Sequence, residues 1–218
     1  MREVFHGELE QLGDELANMC GLVCAAMERA TRALLDTDLE LAEEVITADD
    51  EINRQSQRCE QHACTQLALQ APVAKDLRIV VTAIKAGEKI ARMGDLACHI
   101  AEIARLRHPN PAVPAELSEK FTRMGSLALQ ACRHVERTIA APAGVHLPAL
   151  ERVDDDLDRL HREVLDAIGA TNTPYPVQVG VDVALLARYF ERFADQAVSI
   201  TRQLDYVVTG EVHHRAGA

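Results

Sequence analysis

Two stretches one hundred residues apart carry the same pattern. Arg92-Met-Gly-Asp95-Leu-Ala97-Cys-His-Ile100 matches Arg192-Phe-Ala-Asp195-Gln-Ala197-Val-Ser-Ile200 at Arg, Asp, Ala and Ile. Around the second stretch Leu186, Phe190, Phe193, Ala197, Ile200 and Leu204 recur every three or four residues, which is one apolar stripe on a helix. The chain is therefore read as a duplication with one such helix per half. Its 218 residues suit either one large domain or two of about 110. The repeat selects two, spanning 1–110 and 111–218.

The rest of the chain repeats the helical plan. Leu9, Leu12, Leu16, Met19, Val23, Ala26, Ala30 and Leu34 alternate gaps of three and four, the period of left-handed helix packing. A first helix from Arg2 to Leu35 would reach about 50 Å. Thr37-Asp-Leu-Glu40 reads as a capping box that starts a second helix, so the first two helices are antiparallel neighbours. The second runs to about Leu69 with Leu41, Val45, Ile52, Cys59, Ala63 and Leu67 inward. Pro72 suits the first turn of a third helix, which carries Leu77, Val80, Val81, Ile84, Ala91, Leu96 and Ile100. The proline cluster His108 to Pro114 stops it and marks the boundary between the halves. Three more helices are expected at about Pro114–Ala140, Pro148–Ile168 and Val177–Thr209. Gly144 and Thr171 to Pro176 are the breaks, and Gly210 is a C-cap. No stretch alternates as a strand does. Hydrophobic residues make up 48% of the chain but aromatics only 3%, a balance suited to closely packed flat helix faces. The expected fold is all-α, two tandem three-helix bundles.

A net charge of −11 argues against nucleic acid or anionic lipid as the main partner. No apolar run is long enough to span a membrane. The opening residues lack the core of a signal peptide, so the expected location is the cytoplasm. Six cysteines, Cys20, Cys24, Cys59, Cys64, Cys98 and Cys132, sit in helical patterns without a C-x-x-C pair and are read as buried free thiols.

The chemistry lies in the acids. Glu191 and Asp195 stand one turn apart beside the apolar stripe of the last helix, an arrangement that costs a helix about 0.2–0.5 kcal/mol and asks for a compensating cation. Asp154 and Asp158 form a second i,i+4 pair on the fifth helix, which should lie beside the sixth. Together the four carboxylates would supply the six or more oxygens that hard cations or small metal clusters prefer. Asp155 and Asp156 read as a solvated face. Arg92 and Arg192 are expected to make intramolecular ion pairs. His213 and His214 belong to a tail expected to be disordered.

The paired helices, with Arg188-Tyr-Phe-Glu-Arg-Phe-Ala-Asp195 and Gln70-Ala-Pro-Val-Ala-Lys-Asp-Leu-Arg78, resemble the PhoU family of phosphate-uptake regulators over nearly the whole chain. The ending Val207-Val-Thr-Gly-Glu211 resembles its actinobacterial branch. The resemblance implies metal ligation by Asp154, Asp158, Glu191 and Asp195, the ion being iron, zinc, manganese, magnesium or calcium. In the first half the pattern is broken: Ala91 stands four residues before Asp95, and Asn53 ends the pair begun by Asp49. Glu88, about 10 Å from Asp95 along the helix, does not simply replace the missing acid, while His99 offers a nitrogen one turn on. Asp49 and Asp95 are thus expected to hold metal weakly or not at all.

No Gly-rich phosphate loop, nucleophile elbow or Cys/His pair assembles a catalytic centre, so no enzymatic activity is expected. A ferritin-like di-iron oxidase would need Glu-x-x-His on two core helices, and the spacing Glu211 to His214 falls in the tail. A metal-free helical scaffold is the other alternative. The resemblance implies a negative regulator that links the ATPase subunit of a phosphate ABC transporter to a sensor histidine kinase and forms a homodimer.

Overall fold

The computed structural model describes residues 2–141, 147–170 and 175–211, with residues 2 and 3 described only in their backbone. Gly144, most of the Thr171–Pro176 break and His213–His214 therefore lie outside the described residues. Six α-helices follow one another: α1 (Arg2–Asp36), α2 (Leu39–Gln70), α3 (Ala74–Arg107), α4 (Ser118–Ala140), α5 (Leu147–Gly169) and α6 (Val177–Thr209), with one 3₁₀ turn at Ala115–Leu117. No strand occurs among the described residues.

The apolar periods set the packing. Every residue of the α1 stripe from Leu9 to Leu34, and every residue of the α6 stripe from Leu186 to Leu204, is buried. Helices α1, α2 and α3 pack on one another, as do α4, α5 and α6. The halves meet where α1 lies on α4 and α3 on α6, so α1, α3, α6 and α4 close a four-helix ring with α2 and α5 outside it. One continuous core results. Arg107 reaching Asp182 and Arg78 lying over the Tyr206 ring fix α3 and α6 as antiparallel.

The α1–α4 seam is close. A Cβ on Gly125 would stand 2.3 Å from Thr31 Cγ2, so only the missing side chain lets the two helices approach this far. In the same seam Cys24 and Cys132 are joined as a disulfide, with their Cα atoms 5.7 Å apart. That corrects the expectation of six free thiols: the crossing brings two cysteines of distant sequence within bridging range. Cys20 and Cys59 are free and buried, and Cys98 is half-buried. Cys64 is exposed, a second departure.

Several details of the helix ends also differ from expectation. Thr37 takes a left-handed conformation (φ 56°) that closes α1, with Asp38 N–H donating to Ala33 O. Asp38 is then the N-cap of α2, its Oδ1 accepting from Leu41 N–H at 3.0 Å, where Thr37 was expected. Pro72 precedes the N-cap of α3, which is Val73, and Leu77 is exposed at 40%. Gly210 caps α6 as expected, donating to Tyr206 O.

Candidate functional site

The acidic face of the second half is built by α5 lying along α6. Asp154 is buried on α5, with Asp158 half-buried one turn later; on α6 Glu191 is buried, with Asp195 half-buried one turn later. Glu191 is the strained group. Burial pushes its carboxyl up to about 7, and the negative charges of Asp195 and Asp158 push the same way, against the pull of Arg188 and Arg192. Arg188 Nη1 donates to Glu191 Oε1, while Glu191 Oε2 is buried without a hydrogen-bond partner. An ionised oxygen left so is costly. Glu191, Asp195 and Asp158 are thus brought within electrostatic reach of one another, with Asp154 one turn along α5.

His161 belongs to the same neighbourhood. Burial and the charges of Arg188 and Arg162 lower its pKa while Asp158 opposes them, so its surroundings disfavour the charged imidazole. The signal was the i,i+3 spacing Asp158-x-x-His161, which brings both onto one face of α5. A search for glutamate in that position passes over it.

In the first half α2 and α3 present the corresponding face. Asp49 is half-buried and its carboxyl is raised, first by burial and next by the charge of Asp95. Asn53 Nδ2 donates to Asp49 Oδ2 at 2.9 Å, and Arg92 Nη1 pairs with Asp95 Oδ2 at 3.2 Å. His99 stacks its ring against Tyr189 of α6 at 5.2 Å, where it packs between the halves. Arg92 makes the expected ion pair. Arg192 does not among the described residues, its place being taken by Arg188 on Glu191.

Among the described residues no three His, Cys, Asp or Glu side chains stand together as a cage that could hold a metal ion. The donor set of the second half suits an oxygen-seeking cation, and the unsatisfied Glu191 Oε2 is where one would relieve the site. Binding would have to draw the carboxylates together. No described helix is long and apolar enough to cross a membrane.

A duplicated helical scaffold with one acidic face per repeat defines the class. The family model described as "PhoU domain" matches it twice, at residues 16–104 and 121–204, once per repeat. The chain belongs to the PhoU family, in its actinobacterial branch. It is 42% identical over 210 residues, 96% of this chain and 99% of the relative, to the phosphate-specific transport system accessory protein PhoU homolog 2 of Mycobacterium tuberculosis. It is 41% identical to homolog 1 of Mycobacterium leprae, covering 96% of this chain and 95% of that one. Among solved structures it resembles the phosphate transport system regulatory protein PhoU of Streptococcus pneumoniae, with a TM-score of 0.84 and 26% identity over 96% of this chain and 99% of that one. PhoU of Pseudomonas aeruginosa gives 0.85 at 25% identity, over 95% and 100%. Both mycobacterial relatives are described as accessory proteins of a phosphate-specific transport system.

Proposed function

We propose that the chain is a cytoplasmic negative regulator of phosphate uptake and of the phosphate-starvation response. It acts by binding, as a homodimer and without catalysis, and couples the ATPase subunit of a phosphate ABC transporter to a sensor histidine kinase. The supporting observation is the 42% identity to a transport accessory protein along almost the full length of both chains. The all-helical build, with its charged groups engaged in ion pairs across helices, suits docking better than turnover. A pull-down of the purified chain with the transporter ATPase and with the kinase, in high and in low phosphate, tests this. Capture of both partners in high phosphate is expected; capture of neither in either condition overturns it.

The same reading assigns a divalent or trivalent cation to Asp154, Asp158, Glu191 and Asp195, with the role of fixing α5 against α6. Its support is the buried, unsatisfied oxygen of Glu191 among like charges. Elemental analysis of protein purified without chelators should find metal that is lost in a Glu191→Ala, Asp195→Ala variant. Equal metal content in the two proteins overturns the assignment.

A further inference from the structure

At the end of the four-helix ring remote from the Arg107–Asp182 pair, the N-terminal turns of α1 and α3 and the C-terminal turns of α4 and α6 enclose a cavity of about 600 Å³. Its floor is apolar, with Leu9, Leu12, Leu16, Ile79, Leu204 and Val207 among the lining. Its rim is acidic. Glu10, Asp14 and Asp76 line it against one lysine, Lys75, and none of the three carboxylates makes an ion pair among the described residues.

The duplication supplies a template for what such a groove takes. At the repeat spacing, Thr82 and Val207 of this lining correspond to Asp182 and Arg107. Those two are paired at the opposite end, Arg107 Nη2 donating to Asp182 Oδ1 at 3.0 Å. There the chain runs straight on from α3 into residues 108–117 and buries its own Ala112, Val113 and Leu117. One end of the ring is therefore closed by an ion pair beside an apolar stretch of the chain, and the other lacks the ion pair and is covered by no described residue.

We propose that this second end receives a basic amphipathic segment of a partner protein, its apolar face on the groove floor and its lysines or arginines on Glu10, Asp14 and Asp76. The α1 lining runs from His6 to Ala17, about 16 Å of helix axis, which matches two to three turns of a docked helix. Charge selects the class: an anionic lipid or acidic amphiphile would meet an acidic rim on a chain of net charge −11, whereas a basic segment is attracted to it.

The inference deepens the regulatory reading and rests on its being a binding protein, but it is tested with purified components, so its failure is separate from a failed pull-down. The probe is a labelled peptide with leucines at i, i+3, i+4 and i+7 and lysines on the other face, compared with the same peptide carrying glutamates. Binding of the lysine peptide alone is expected. It should weaken about tenfold in an Asp14→Lys, Asp76→Lys chain and about fivefold with Val208→Asn, a half-exposed lining position, as loss of rim charge and of anchoring surface requires. A Glu40→Lys, Glu44→Lys chain, altered on the exposed start of α2, should bind within about twofold of the parent because those charges lie off the groove. Equal binding of the two peptides, equal effects of the two charge reversals, or no binding overturns the proposal. Self-association of the parent that Val208→Asn abolishes also overturns it, in favour of a second copy as the occupant.

Discussion

The two repeats have kept one backbone plan and parted in how they neutralise buried acid. On α2 and α3, Asp49 is answered by the Asn53 amide and Asp95 by Arg92. Ala91 stands where a further carboxylate would add repulsion, although Asp49 Oδ1 is still buried without a hydrogen-bond partner. On α5 and α6, Glu191 faces Asp195 and Asp158 with Arg188 on one of its oxygens only. Both faces keep a buried carboxylate oxygen unsatisfied, but the like charge opposing Asp49 is chiefly Asp95, whereas Glu191 is pushed up to about 7 by burial and by both Asp195 and Asp158. The ring ends differ in the same spirit, since Asp182 and Arg107 pair at one end and Thr82 and Val207 line an open groove at the other.

Breaking the closed end should have the largest effect. The Asp182 side chain is 6% exposed and its partner Arg107 28%. Asp182→Ala leaves a largely buried guanidinium without its carboxylate, and the expected loss is about 3–5 kcal/mol, read from denaturant midpoints. Thr82→Ala, at the corresponding position of the other end, should cost under about 1.5 kcal/mol. Equal losses would remove the distinction between the ends.

The second face is sharpened by pH. The Glu191 carboxyl is raised from 4.5 to about 7 in the folded chain, so its contribution to stability is full below the ordinary carboxylate range and is lost as pH rises through about 7. In chelator at pH 8, Glu191→Gln should therefore be more stable than the parent, by up to about 3 kcal/mol. At acid pH below the ordinary range the two should converge. A variant that is less stable than the parent at pH 8 would mean that Arg188 already satisfies the carboxylate.

The first face can be pushed toward the second. Asn53→Asp replaces a donor to Asp49 by a second negative charge one turn away, and a loss of about 1–2 kcal/mol is expected in the absence of metal. Adding Ala91→Glu restores the full acidic set. Metal content of that double variant should rise above the parent's, and an unchanged content would show that carboxylates alone do not make the site.

Much of this was legible because helix periodicity is local. The α1 and α6 stripes predicted the buried faces residue by residue, and the repeat from Arg92 to Ile100 placed both acidic faces on their helices. What escaped depends on how helices cross. Cys24 and Cys132 lie 108 residues apart and Arg107 and Asp182 lie 75 apart; no spacing rule pairs them, since only the antiparallel seams α1–α4 and α3–α6 do. Thr37 yielded its capping role to Asp38 because the end of α1 claimed it for a left-handed turn. His161 was visible in spacing but not in rank, for one imidazole on a helix gains meaning only when burial and Arg188 are seen to lower its pKa.

The smallest expected effect probes the backbone beside the two faces. Gly94 and Ala194 correspond in the repeat, and Ala194 is fully buried. A Cβ on Gly94 would stand 3.1 Å from Ile52 Cγ2 and 3.4 Å from Asp49 Oδ1, so α2 lies closer here than an alanine comfortably allows. Gly94→Ala gains about 1 kcal/mol of helix propensity and spends it on moving Ile52, so stability should change by less than about 1 kcal/mol. Ala194→Gly loses the propensity and a buried methyl together, about 1–2 kcal/mol. The first substitution also presses on Asp49 without touching its charge. If it costs more than about 3 kcal/mol, far above the propensity scale, the α2–α3 seam is rigid, and the position of Asp49 is set by packing rather than by its bond to Asn53.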